Sequence, residues 1–424
     1  MDLNQKHPKI FYGWYIVGAS GLIAIYAHGV IGFGFTAVFE PIAEEFGWSY
    51  AQISLAASLR GFEVGLLAPL IGLLVDRWGP RRLIFGGGII ICGGLLLLSQ
   101  VSSLAMFYGA FAAIALGMST TTSTVLMTTV IKWFRRKAGV AIGIVSAGMG
   151  LGGLMVPIVT KLIEVLQWRT AMVTFGLGML VIILPLSLLF RHKPDGEVGS
   201  IAKTMEAQVS TAGEEVNIPA KQAIRNRAFW HISISSMFHT FVVGALFPHI
   251  MPYLSSLDIA RSVSSMIVLF ISLVSIGSRL SSGWLADRFG SKQVSIAAFF
   301  LITAGLLLFG YVTTERIWLL VPFIITFSLG WGFNVTARVS LLRDYFGSGS
   351  FGTIFGFLSG IMMLGNITGA PLAGWVFDTW GSYQGAWLGY GALTLVGAVL
   401  VFTIPSSSNS IPQPDQLGTH RITK

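Results

Sequence analysis

Three arginines, Arg60, Arg279 and Arg338, stand inside long apolar runs of this 424-residue chain. A guanidinium at the centre of a bilayer costs roughly 2.5–3.5 kcal/mol on insertion scales. Each must therefore meet an anion, line a wet cavity or escape to the surface. Arg279, in V-S-I-G-S-R-L, has no acid on its own helix face before Asp287, about two turns on. It is the candidate clamp for a carboxylate, whose two oxygens match the guanidinium fork; the alternatives are a structural ion pair or snorkelling. Arg60 and Glu63 are three apart and share a face. They form either a self-neutralising pair that fixes helix packing or a proton site, with Glu63 the acceptor and Arg60 or Arg279 tuning it. His28 and His239 are hydrogen-bonded wall residues or proton sites. Trp331, Asn334 and Arg338 recur at i, i+3 and i+7, one stripe of a helix. Trp331 and Asn334 are expected to line a cavity and Arg338 to reach the surface. Asn366 is a weaker candidate.

With Arg338 at the surface and Arg60 beside Glu63, one unpaired cation remains, and it suits one carboxylate. A second carboxylate would stay charged in a low-dielectric cavity. The pattern thus predicts a C2–C4 monocarboxylate, with Asn334 or Ser275 reading a 2-hydroxyl or 2-oxo group. No nucleotide loop, metal-ligand cluster or nucleophile triad occurs, so neither cofactor nor metal is expected and an enzyme is disfavoured.

The elements that must hold these residues are membrane spans. Charged residues are only 11% of the chain, apolar residues are 54% and the mean hydropathy is +0.75. A soluble globule could not hide that much apolar surface, whereas apolar runs of about 20 residues cross a bilayer as helices. The net charge of +9 does not indicate nucleic acid, because the cations cluster in short loops between apolar runs. Cys92, the single cysteine, lies in an apolar run, so no intrachain disulfide is possible. Lys6 and Lys9 precede an apolar stretch with no small-residue cleavage site, which reads as a first span rather than a leader.

Twelve spans are predicted, at 14–38, 51–75, 83–101, 104–130, 138–162, 168–190, 229–253, 263–286, 293–313, 317–340, 350–374 and 384–404. With the N-terminus, the even-to-odd loops and the C-terminal tail on one side, that side holds 20 of the 27 Lys and Arg residues. The asymmetry predicts a multi-pass protein of the plasma (inner) membrane with both termini cytoplasmic. The stretch 191–228 is polar and reads as a cytoplasmic linker with room for a short surface helix. Residues 405–424 read as a disordered tail.

The chain also repeats itself. G-L-L-V-D-R-W-G-P-R-R at Gly72–Arg82 returns as G-W-L-A-D-R-F-G-S-K at Gly283–Lys292, half a chain length later. Gly72, Asp76, Arg77, Gly79 and Arg81 correspond to Gly283, Asp287, Arg288, Gly290 and Lys292. A charged hairpin repeated at the midpoint marks a duplicated bundle, 1–190 and 229–404, and duplicated bundles in membranes are typically transporters with a site at the repeat interface. The hairpins are topology anchors or latches that hold one side shut. The glycines of span 5, from Gly139 to Gly153, permit close helix contact.

The hairpin after span 2, with its echo after span 8, resembles the signature of the major facilitator superfamily. The run K-W-F-R-R-K-A-G-V-A-I-G-I-V-S-A-G-M-G-L-G-G at Lys132–Gly153 and the opening F-Y-G-W-Y-I-V at Phe11–Val17 resemble the monocarboxylate transporters and their bacterial oxalate/formate antiporter cousins. The resemblance implies an all-α membrane protein, two pseudo-symmetric six-helix bundles and alternating-access transport of a small organic anion, with an Arg at the place of Arg279. Proton symport is the expected coupling, organic anion exchange the alternative, and export of neutral amphiphiles a weaker one. The chain departs from these relatives at three positions. Ser275 stands where monocarboxylate carriers usually have an Asp. Phe33 stands near their span-1 Lys, and Met362 replaces the span-11 Lys of the oxalate carriers.

Overall fold

The computed structural model describes residues 11–59, 61, 67–121, 123–134, 138–190, 218–347 and 350–405. Arg60 and Glu63 lie outside this set, as do most of the predicted linker and nearly all of the tail. Among the described residues the fold is helical: α1 (Gly13–Ala27), α2 (Phe35–Phe46), α3 (Tyr50–Ser58), α4 (Ala68–Trp78), α5 (Pro80–Ser99), α6 (Leu104–Thr121), α7 (Ser123–Trp133), α8 (Ala138–Leu151), α9 (Val156–Ser187), α10 (Ala220–Arg225), α11 (Arg227–Ser255), α12 (Arg261–Phe289), α13 (Ser291–Gly310), α14 (Leu320–Phe346), α15 (Phe351–Trp380) and α16 (Gln384–Phe402).

Ten described stretches are long and apolar enough to cross a membrane. The twelve predicted spans map onto them plus α3 and α4, the two flanks of span 2. The 48-residue stretch Val140–Ser187 holds spans 5 and 6, which part at Gln167, where φ is +63°. Span 1 runs beyond the predicted residue 38 to Phe46. Phe39 and Ile42 extend its buried face, while Glu44 and Glu45 point outward. Within span 1 the backbone widens to a π-helical stretch, His28–Phe33, closed by the Gly34 N–H donating to the Gly29 carbonyl at 2.8 Å. Such widened turns are frequent at functional sites. The short helix foreseen in the linker is α10, whose Ala223 is buried.

The repeat seen in sequence is a repeat in backbone geometry. Gly79 ends α4 at φ 78°, ψ 158°, and Gly290 ends α12 at φ 88°, ψ 142°. Their N–H groups donate to Val75 and Ala286 at 2.9 and 2.8 Å. Positive φ is costly for any residue with a Cβ, which is why both hairpins turn on glycine.

The first and second groups of helices meet along three seams: α2 against α11, α3 against α15, and α8–α9 against α12. Small residues make the third seam tight. A methyl on Gly153 would strike the Ser272 hydroxyl across that seam, and within the first group one on Gly148 would come within 2.9 Å of the Gly21 carbonyl oxygen on α1. The close contact expected of the span-5 glycines holds at these positions. It does not hold at Gly143, two turns toward the hairpins, where an added Cβ meets nothing within 4 Å. Gly283 on α12 is equally open. Among the described residues no seam joins α4 or α7, beside the first hairpin, to the second group, so the described helices are parted at the hairpin end and closed at the other.

Candidate functional site

Arg279 lies on the closed side of that opening. Its guanidinium carbon sits 4.8 Å from the centre of the Trp331 ring on α14, a separation at which a cation is held by the ring's negative face. Trp331 is 7% exposed and packs at 4.9 Å on Phe247 of α11, which packs edge-on at 5.0 Å on Phe33 of span 1. Phe33 thus helps form the apolar wall of a site whose positive charge comes from span 8. Arg279 also reaches toward the seam: a Cβ on Gly150 would stand 3.6 Å from its Nη1.

The polar groups around this wall are short of partners. Arg279 Nε, Asn334 Oδ1 and both ring nitrogens of His239 are buried and make no hydrogen bond among the described residues. Buried polar atoms are almost always satisfied in a finished site. The buried Arg279 Nε–H and the N–H of the His239 ring are donors that a bound anion completes, whereas Asn334 Oδ1 accepts and calls for a donor such as a cargo hydroxyl. His239 is 2% exposed, and the charges of Arg279 and Arg338 both reach it.

The expectation that Arg338 escapes to the surface fails. It is 9% exposed, about two turns inside the end of α14, and its Nε and Nη1 are buried without partners. Two turns are about 11 Å of helix, more than an arginine side chain spans. The premise of a single unpaired cation falls with it.

Ser275 is fully buried, its hydroxyl donates to the Ser272 carbonyl at 2.8 Å, and its own carbonyl oxygen stands 2.7 Å from the Cβ position of Gly332 on α14. Its proton is committed within its helix, which leaves the hydroxyl oxygen as an acceptor. His28 is half-buried and opens the π-helical stretch, with its Cβ 3.1 Å from where a methyl on Gly152 would stand. Asn366 faces Gly244 of α11, its Oδ1 2.7 Å from the Cβ position there.

At the hairpins, Arg77, Arg81 and Arg82 are exposed, as are Asp287 and Arg288, and Arg288 lies 5.5 Å from the Trp284 ring. Gly72 and Asp76 lie in α4, but the side chain of Asp76 is outside the described set. No ion pair joins Asp287 or Arg288 to the first group of helices among the described residues.

The opposite end carries a seal with no counterpart among the sequence motifs. The Asp378 carboxylate, near the end of α15, accepts from the backbone N–H groups of Tyr50 and Ala51, each at 2.9 Å. It takes the two first-turn N–H groups that the Ser49–Gln52 capping box of α3 leaves open. His249, fully buried, bridges the same seam. Its Nε2 lies 2.9 Å from the Ala370 carbonyl and 2.8 Å from the Ser54 hydroxyl, and its Nδ1 lies 2.8 Å from the Tyr383 hydroxyl. A carbonyl only accepts, so Nε2 carries the proton and Nδ1 accepts from Tyr383. Thr36 accepts from the Met251 N–H at 3.1 Å, and Arg261 meets Glu40 at 3.8 Å and the Ala37 carbonyl.

A helical membrane bundle with a repeated hairpin, shut at one end and holding unsatisfied buried cations, has the architecture of a membrane transporter. The chain belongs to the Major Facilitator Superfamily, whose family model matches residues 19–358. It is similar to monocarboxylate transporter 12 of Rattus norvegicus, 24% identical with 94% of this chain and 86% of that protein covered. It is also similar to the oxalate:formate antiporter of Oxalobacter formigenes, 23% identical over 87% of this chain and 86% of that one. The fold matches a bacterial homologue of the human lysosomal transporter Spinster in an inward-facing and occupied conformation, with a TM-score of 0.70, 16% identity and coverage of 95% and 98%. It likewise matches a point mutant of the nucleoside transporter NupG, with a TM-score of 0.71, 14% identity and coverage of 91% and 99%.

Proposed function

We propose that this chain is a secondary carrier of small organic carboxylates that works by alternating access, with Arg279 as the carboxylate clamp. The observation that carries the reading is the buried guanidinium on the Trp331 ring with its Nε unsatisfied, beside the equally unsatisfied His239 and Asn334. The names of the relatives, a monocarboxylate transporter and an oxalate:formate antiporter, support the same chemical class. A lactate- or pyruvate-like acid is the smallest cargo that satisfies Arg279. Its carboxylate binds the fork while its apolar end rests on Phe33, Phe247 and Trp331.

Coupling follows from where a proton can sit. In symport, Glu63 or His239 takes it up and releases it on the other side. Exchange is the second reading, favoured by the absence of any acid beside Arg279 or Arg338 among the described residues. The cargo itself is then the counter-charge that permits the halves, 1–190 and 229–404, to rock. The hairpins and both termini face the cytoplasm of the plasma membrane in this account, so the open end is the inner one. Cysteines placed at Ser200 and Ser406 then resist impermeant thiol reagents in intact cells.

The test is purified protein in liposomes, offered labelled acids with and without an inward proton gradient. Accumulation that follows the gradient establishes symport. Gradient-independent counterflow establishes exchange. Failure of every carboxylate to enter or to compete overturns the reading.

A further inference from the structure

We propose that Arg338 is a second anion-binding residue of the cavity, so that the preferred cargo is a small dicarboxylate, one carboxylate on Arg279 and the other on Arg338. The proposal rests on the carboxylate-carrier reading and extends it. Trp331, which stacks against Arg279, lies on the same stripe of α14 as Asn334 and Arg338, so one helix face runs from the first cation to the second. Two guanidiniums carry buried, unsatisfied donors, Arg279 Nε on α12 and Arg338 Nε and Nη1 on α14, and the unsatisfied acceptor Asn334 Oδ1 stands one turn before Arg338. His239 stands on the neighbouring α11 within reach of both charges, its two ring nitrogens also unsatisfied.

A structural role for Arg338 would show a partner. It makes no ion pair and no hydrogen bond among the described residues, unlike Arg169. That residue is held by Glu45 at 2.6 Å and by the Ser99 and Val101 carbonyls at 2.7 and 2.9 Å. Nor does Arg338 find an aromatic face among the described residues, as Arg279 does. Two buried cations answered by a single carboxylate would leave one charge uncompensated in a low-dielectric wall. A dianion satisfies both, and the N–H of the His239 ring donates to it, while the unsatisfied Asn334 Oδ1 can only accept and takes no part in holding the anion.

The experiment uses full-length protein in liposomes, with labelled lactate and labelled succinate as probes. Four proteins are compared: wild type, Arg338→Gln, Arg338→Lys and Arg279→Lys. In the wild type, succinate is expected to compete at least 10-fold better than lactate. Arg338→Gln should weaken succinate at least 10-fold while lactate changes by less than 3-fold. Arg338→Lys should keep part of the succinate preference, and Arg279→Lys should weaken both probes. Wild-type protein that prefers lactate overturns the proposal without variants and leaves the carboxylate-carrier reading intact. Equal losses of both probes in a monodisperse, normally melting Arg338→Gln protein also overturn it. Wild-type protein that binds neither probe nor any other carboxylate overturns the carrier reading itself, a distinguishable result.

Discussion

The Asp378 carboxylate accepts from the Tyr50 N–H at 2.9 Å, so the last turn of span 11 caps the first turn of span 2 across the seam between the two halves. The approach is possible because α15 presents Gly374 there; a Cβ would come within 2.6 Å of the Ala51 nitrogen. With no seam joining α4 or α7 to the second group among the described residues, this contact identifies the state as open toward the hairpins.

Removal of that cap should loosen the seal. Asp378→Ala deletes both acceptors and leaves the exposed Tyr50 and Ala51 N–H groups to water while the Ser49 cap remains, a loss of about 1–2 kcal/mol on the scale of a helix N-cap. The expected result is a roughly 5- to 30-fold shift toward conformations open at the Asp378 end. Spin labels on Glu44 and Ser256, both exposed at that end, should show a new longer-distance population. An unchanged distribution would mean that the His249 bridge and the Arg261–Glu40 pair hold the seal without Asp378.

Closure at the hairpin end should bring the α8 and α12 faces together at Gly143 and Gly283. Gly283→Leu should then be stable in the structure seen here, since nothing lies within 4 Å of its Cβ position. Transport should nevertheless fall severely, because the closed state cannot form. Gly290→Leu should do the reverse damage and lower the melting temperature, as its φ of 88° is strained for any L side chain. Full transport by a folded Gly283→Leu protein would refute the closing motion.

Glu63 remains the leading proton site on sequence grounds. Glu63→Gln is expected to abolish proton-driven accumulation and spare exchange, provided an Arg60 variant tested in parallel shows that Arg60 does not need the charge. Normal accumulation in Glu63→Gln would move the proton to His28, His239 or the cargo.

The spans, the duplicated hairpins and Arg279 are legible because each is a property of local sequence: hydropathy over one helix, a motif repeated at half length, a charge in an apolar run. Partnership is not local and leaves no such mark. Asp378 binds backbone N–H groups of Tyr50 and Ala51, which carry no side-chain signature, and the His249 partners come from three other segments. Arg338 differs from its sequence expectation because its distance from the helix end exceeds what a snorkelling side chain covers. The approach of the Ser275 carbonyl to Gly332 is equally invisible in sequence, because a face shared with Arg279 does not say which neighbour it meets.

The central claim is that Arg279 holds a carboxylate of the cargo. Uptake of one labelled monocarboxylate into liposomes by wild type, Arg279→Lys and Arg279→Ala tests it most directly, with monodispersity and melting temperature as the folding controls. Arg279→Lys keeps the charge but loses the planar fork and its stacking on Trp331, so weak transport at most is predicted, and Arg279→Ala should have none. Near-normal uptake by a folded Arg279→Ala protein would contradict the account.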